Sequence, residues 1–424
     1  MNAIMMLDIL RKYNFWSNEA IKTGYFRESY TGKIAGYLNN KLVKVILGQR
    51  RVGKSYLLRM IISHLIEKEA VPRKNILYIN KDIAELDFIN SNEVLLTAVN
   101  GYRAGMKPEG KVYIFLDEVQ EIKGWEKVVN SFSQDYTSDY EVFVTGSNAN
   151  LLSTELSTYL SGRYICFEVF PFSYEEYAGF KGLEKNRESF MSYLKNGGIP
   201  ESCNFEDMEI KKNYLLNLKD SIVLKDIVRR HNVRDVYLLE KLLNFMIDSI
   251  GSLFSVNSVV NHLKSSGYKA NGDTIGNYIG YLKEAYFFHE VDRFDIKGKR
   301  ILSGEKKYYL NDLGFKYFLS SSFEFGVGKY LENLVYLDLR RKGYKIYSGT
   351  FRDKEIDFIA EKDNMKKYIQ VCYLLADESV VEREFGNLAS IDDHFEKIVV
   401  SLDELNLGNR NGIVHRNAWE FISL

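Results

Sequence analysis

The segment Gly48-Gln-Arg-Arg-Val-Gly53-Lys54-Ser55 constrains this chain more than any other. It is a complete G-x-x-x-x-G-K-S that follows the apolar run KLVKVIL (41–47) and opens the apolar-periodic stretch SYLLRMIISHLI (55–66). The glycines let successive backbone N–H groups turn around a phosphate that also meets a helix N-terminus. The lysine then reaches the β and γ oxygens, and the serine holds magnesium. A strand, a phosphate loop and a helix in that order commit the chain to an α/β core. The candidate ATP-binding residues are Gly48, Gln49, Arg50, Arg51, Val52, Gly53, Lys54, Ser55 and Tyr56, with ATP and Mg2+ as the implied cofactors and Ser55 as a metal ligand. Arg50 and Arg51 are placed near the nucleotide or its protein partner, and the sequence does not choose between them.

A second signal stands 63 residues after Lys54, where the apolar run VYIFLDEVQ carries Asp117 and Glu118. Asp117 at a strand end would order magnesium through water, and Glu118 would polarise the attacking water. A third strand ends in Thr145-Gly146-Ser147-Asn148, so Ser147 or Asn148 is the candidate γ-phosphate sensor. A cap for the segment after Asn150 is the competing role. LSTYLSGR ends in Arg163, which would reach a phosphate in cis or in trans; salt-bridged and solvent-facing readings stay open, and with them the question of a homo-oligomer. Strands are expected at 41–47, 75–80, 111–116, 140–145 and 163–170. The extra strand, 75–80, between the phosphate loop and the Asp117 strand, together with the Glu118 base, resembles the additional-strand, AAA-like class of P-loop ATPases. No guanine-reading N-K-x-D is present, which favours ATP.

At 424 residues the chain has room for roughly two to four domains. Its 57 Lys plus Arg cancel 57 Asp plus Glu, so no net field draws the whole molecule to nucleic acid or an anionic membrane. Cys166, Cys203 and Cys372 lie too far apart for a zinc knuckle and read as reduced core thiols. The N-terminus meets Asp8 and Arg11 before a secretory core is complete, and no run of about 18 apolar residues follows. A cytoplasmic protein without an integral membrane segment is expected. The expected divisions are an N-terminal helical segment (1–30), the ATPase core (31–180), a helical linker (181–237), a winged helix (238–322) and a small α/β domain (323–424).

The winged helix rests on three apolar-periodic segments, 238–250, 255–266 and 273–286, followed by FFHEVDRF and KKYYLN around the turn-like DIKGKRILSGE. Asn271 or Asp273 would cap the third helix, which carries Asn277, Tyr278, Tyr281 and Lys283. Residues 291–307 hold Arg293, Lys297, Lys299, Arg300, Lys306 and Lys307 against Asp292, Asp295 and Glu305. Such a wing would sit on DNA phosphates while the helix approaches a groove; docking a protein or covering the nucleotide is the alternative.

The string GQRRVGKS, FLDEVQ, VTGSN, LSGR and EVFPFSYEEY, followed by a winged helix, resembles a prokaryotic family of AAA-like ATPases that ends in a domain of unknown function. That resemblance covers nearly the whole chain and places Asp117, Glu118, Ser147 and Arg163 at family positions. It implies an α/β, restriction-endonuclease-like fold for the last hundred residues, with Glu332 on a helix and Asp357 in KEIDFIA. An active nuclease of that fold carries E-x-K on the next strand, whereas this chain reads Ile369-Gln370-Val371-Cys372. A neutral amide and a thiol supply neither charge, so a fold kept for binding or assembly is expected over metal-dependent cleavage. Lys367 is the candidate for a displaced base. Glu382, Arg383 and Glu384 form either an ion network on that face or a solvated charge run.

Overall fold

The computed structural model describes residues 3–151, 159–320 and 326–423. The chain forms two compact units, Met1–Val169 and Phe170–Leu424.

The first unit is built on β1 (Val43–Leu47), β2 (Ile76–Asn80), β3 (Val112–Asp117), β4 (Tyr140–Gly146) and β5 (Tyr164–Glu168). They form one parallel sheet in the order β2-β3-β4-β1-β5. Strands β1 to β4 are buried along their whole length. Their Val, Ile, Leu and Phe runs fit a parallel sheet covered on both faces. The helices are α1 (Ala3–Tyr13), α2 (Glu28–Ala35), α3 (Lys54–Glu67), α4 (Asn92–Met106) and α5 (Trp125–Gln134). Leu57, Leu58, Ile61 and Leu65 of α3 join Ile46, Phe115 and Phe143 in one core. All five expected strands form, within two residues of their expected ends. In space the strand between β1 and β3 is β4, while 75–80 lies at the sheet edge. The phosphate-loop strand and the Asp117 strand therefore both flank β4, the strand that carries Thr145.

In the second unit α6 (Val236–Asp248), α7 (Val256–Ser265) and α8 (Gly272–Glu284) match the three expected helices. The side chains of Asp235, Ser255 and Asn271 accept the first-turn N–H groups and fix the three starts. Next come the antiparallel pair β6 (Phe288–Asp295) and β7 (Arg300–Leu310). Only residues 296–299 of the stretch read as a turn are turn; the rest is strand. The last stretch holds α9 (Val327–Arg341), the antiparallel meander β8 (Lys345–Phe351), β9 (Lys354–Lys362) and β10 (Met365–Val371), α10 (Glu378–Ala389), and β11 (Glu396–Ser401) parallel to β10. Two short strands, β12 (Asn409–Arg410) and β13 (Ile413–Asn417), complete the edge.

The β6–β7 hairpin is not a free-standing wing. Arg293, Phe294 and Asp295 of β6 pair in parallel with Ser348, Gly349 and Thr350 of β8. One eight-stranded sheet results, ordered β12-β13-β11-β10-β9-β8-β6-β7. Among the described residues, no helix is long and apolar enough to cross a membrane.

Candidate nucleotide site

The loop between β1 and α3 is shaped by two glycines. A Cβ on Gly48 would stand 2.3 Å from the Val169 carbonyl oxygen, so only glycine fits there. Gly53 caps α3 at φ 97, in the left-handed region that glycine adopts without strain. Val52 is fully buried, and Arg27, itself buried, donates to its carbonyl at 3.2 Å, which pins the loop to the core. Lys54 is only 4% exposed and folds back over the loop. Its Nζ donates to the Gly48 and Gln49 carbonyls at 3.0 and 3.2 Å and stands 3.4 Å from Glu118 Oε1.

Asp117 and Glu118 follow one another at the end of β3, and both are buried. Asp117 accepts from the Thr145 hydroxyl at 2.6 Å and from the Tyr78 hydroxyl at 2.8 Å, and it is hydrogen-bonded to Ser55. Asn80 donates in turn to the Tyr78 oxygen at 3.1 Å. Burial and then the adjacent Glu118 charge push the Asp117 carboxyl above its ordinary value, against those hydrogen bonds. Glu118 moves the other way. Burial raises it, but the Lys54 ammonium, the Gln120 amide that donates to Oε2, and Arg50 outweigh burial and hold it below the usual range. Two adjacent acids with opposed shifts are a common sign of divided labour in a site.

Glu118 has a left-handed backbone, φ 56, unusual for a residue with a side chain. Its N–H donates to Thr145 Oγ1 at 2.8 Å, so the one hydroxyl that binds Asp117 also holds the Glu118 backbone. Thr145, Tyr78 and Gln120 were not among the expected site residues. Thr145 stands at the tip of a strand beside the Asp117 strand, the same signal that points to Ser147 and Asn148.

Ser147 and Asn148 lie buried at the tip of β4. The Asn148 side-chain oxygen accepts from the Asn150 N–H at 2.7 Å; the segment that a cap here would start runs into residues 152–158, outside the described residues. The Asn148 amide nitrogen has no partner among the described residues, leaving a buried donor available. Arg50 is half-buried and acts on Glu118, whereas Arg51 is exposed at φ 69. Gln49 is fully buried; Tyr56 is 48% exposed, with the Arg59 guanidinium 5.1 Å from its ring centre. Arg163 is not brought to the loop. It precedes β5, where its carbonyl accepts from the Val43 N–H, and its exposed guanidinium donates to Asn130 at 3.3 Å. The phosphate loop leaves the other end of β1, about 16 Å along the strand. The in-cis reading of Arg163 therefore fails on distance.

In the second unit the expected acids Glu332 and Asp357 do come together, around a cation supplied by β7. Lys307 Nζ lies 2.6 Å from Glu332, 2.6 Å from Glu355 and 3.6 Å from Asp357, and Lys307 is 1% exposed. Glu332 also accepts from the Tyr309 hydroxyl at 2.7 Å and from Lys329 at 3.0 Å. Burial and the Glu332 charge push the Asp357 carboxyl up to about 7, and the Val371 N–H donates to it at 2.9 Å. Lys367 is not a displaced base, because it pairs with Glu396 at 2.9 Å. Burial pushes the Cys372 thiol well up, and Arg383 pairs with Glu384 at 2.6 Å on the same face. The expected DNA-facing helix is largely occupied by its own chain. Tyr278 donates to the Asp235 carbonyl at 3.3 Å, Tyr281 stacks on His231 at 3.8 Å, and Lys283 pairs with Glu290 at 2.8 Å.

Residues 40–178 match the family model of an AAA domain, and residues 187–325 match a domain of unknown function (DUF8612). An uncharacterized protein of Haemophilus influenzae is 32% identical over 379 residues, covering 88% of this chain and 92% of its own. Another, of Methanocaldococcus jannaschii, is 32% identical over 385 residues, covering 86% and 81%. Among solved structures, a Walker-type ATPase of Pyrococcus abyssi has a TM-score of 0.47 at 16% identity, over 72% of this chain and 99% of that one.

Proposed function

The chain belongs to the AAA-like P-loop ATPase family, and on that premise we propose that it hydrolyses ATP with magnesium and couples the cycle to a conformational change that remodels a partner. The observation that carries this reading is the Lys54–Glu118 pair set beside Asp117 and Ser55 at one end of the sheet. The donor set suits magnesium: a hydroxyl and a carboxylate already in hydrogen-bond contact are hard oxygen ligands, and Mg2+ keeps most of its water. Ser55 and Asp117 would hold it, and it would neutralise charge on the β and γ oxygens.

The protein's own groups divide the remaining work. Without nucleotide, Lys54 is bound to the Gly48 and Gln49 carbonyls and to Glu118. ATP phosphates compete for the same ammonium. As Lys54 turns to them, Glu118 loses the strongest influence holding its proton affinity down and becomes a better base for the attacking water. The buried Asn148 amide donates to the γ-phosphate or that water, and Ser147 lies beside it. Arg163 serves a nucleotide only across an interface between copies. The lysine-clasped α/β piece of the second unit serves binding or assembly.

Phosphate release by wild type, Lys54→Ala and Glu118→Gln tests the assignment. Glu118→Gln should bind ATP while releasing almost no phosphate, and Lys54→Ala should lose both. Turnover in either variant equal to wild type would sink it.

A further inference from the structure

Two hairpin tips lie side by side at one end of the eight-stranded sheet. The β6–β7 turn spans residues 296–299, and the Ile296 N–H donates to the Thr350 carbonyl at 2.9 Å, which ties it to β8 just before the β8–β9 turn at 352–353. Between the tips is a depression of about 580 Å³ lined by Arg293, Asp295, Lys297, Leu302, Thr350 and Arg352.

The charge here differs from that of the rest of the hairpin. Further down, Lys306 pairs with Glu290 and Asp292, Lys307 is buried among acids, and Arg293 pairs with Glu305. At the tips, Lys297, Lys299, Arg300 and Arg352 are exposed. Two acids share these turns, Asp295 opposite Arg300 and the exposed Asp353 beside Arg352, and neither forms an ion pair with these four cations among the described residues. In a chain of zero formal net charge, four cations against these two acids leave a local positive excess. The backbone points the same way. Lys299 at φ 51 and Arg352 at φ 59 occupy left-handed positions that hairpin turns ordinarily give to Gly or Asn. Each costs about 1 kcal/mol or more relative to glycine, and strain of this kind collects where a side chain has a task.

We propose that these two tips form a binding surface for the sugar–phosphate backbone of duplex DNA, with Lys297, Lys299, Arg300 and Arg352 on phosphates. A depression flanked by exposed cations receives a ridge of phosphates, whereas a flat lipid surface would bridge it. The contact is made by the seam between two hairpins and not by α8, so it positions the protein without reading sequence. This deepens the ATPase reading by naming the partner, and its test needs no hydrolysis.

Four phosphate contacts predict a slope of about −3.6 for log K against log salt, or about a 150-fold loss of affinity between 50 and 200 mM. Anisotropy of a labelled duplex, read with full-length protein and with Lys54→Ala, measures it without turnover. Lys297→Ser/Lys299→Gly/Arg352→Gly should flatten the slope by about 2.7. Its glycines relieve backbone strain, so thermal unfolding should show a folded protein. Removing the exposed Lys22, Lys68 and Lys107 of the first unit is the matched control and should leave the slope unchanged. The proposal is overturned if wild type shows no salt-dependent duplex binding, if both triple variants lose it equally, or if anionic vesicles bind more tightly than the duplex. Loss of binding in Lys54→Ala alone would instead tie DNA affinity to the nucleotide site and overturn the independent surface.

Discussion

Thr145→Val removes one hydroxyl and little volume, yet that hydroxyl joins both acids of the nucleotide site. Its oxygen donates to Asp117 at 2.6 Å and accepts from the Glu118 N–H at 2.8 Å, all three residues being buried. A hydrogen bond to a charged group contributes about 1.5–3 kcal/mol, and a buried N–H left without an acceptor costs about 1–3 kcal/mol. Allowing for relaxation, the loss should be roughly 3 kcal/mol, seen as a lower urea midpoint of the first unit at unchanged slope. The consequence for turnover should be larger. Glu118 sits in a left-handed conformation that this bond holds, and a carboxylate displaced by about 1 Å forfeits about 100-fold in rate. Phosphate release at saturating ATP should therefore fall about 100-fold, while ATP affinity, which rests mainly on the loop backbone and Lys54, should fall far less. Thr145→Ser keeps the hydroxyl and should retain most activity. A valine variant within about twofold of wild type, or a serine variant that fails equally, would show that Thr145 does not position Glu118.

Two further outcomes concern the second unit. Lys307→Met should destabilise it by about 3–5 kcal/mol in urea unfolding, because Glu332 is left charged and buried, while Lys307→Met/Glu332→Met should recover most of the loss; a single-variant cost under about 1 kcal/mol would refute the clasp. Asp357, raised from 3.8 to about 7, holds its proton more tightly folded than unfolded, so its contribution to stability falls as pH rises through that window. Asp357→Asn should flatten the fall between those limits, and an unchanged pH profile would count against the shift.

The nucleotide core was legible because its strands are unbroken apolar runs and its chemistry lies in contiguous motifs. Thr145 and Tyr78 were not, since a threonine in VTG and a tyrosine in LYIN look like ordinary strand residues until β2, β3 and β4 lie side by side. The basic hairpin was misread in part for a similar reason. Lys306 and Lys307 add equally to a charge count, but successive strand residues face opposite sides: one pairs with Glu290 and Asp292, the other reaches Glu332. Arg163 sat in the right motif, yet only the parallel register of β1 and β5 reveals which end of the sheet it occupies. The β6–β8 pairing was invisible, because it joins segments about 50 residues apart and leaves no mark on either.

That pairing decides how the chain can be divided in the laboratory and by recombination. A piece beginning at residue 323 would start with an open β8 edge where β6 belongs, and its two buried acids would lack the amine that neutralises them. A piece ending at residue 322 would carry a two-stranded ribbon with an unpaired edge and a lysine with no buried acids to meet. Hairpin and terminal sheet thus make one structural piece, and a cut between them exposes a strand edge and a buried charge on both sides.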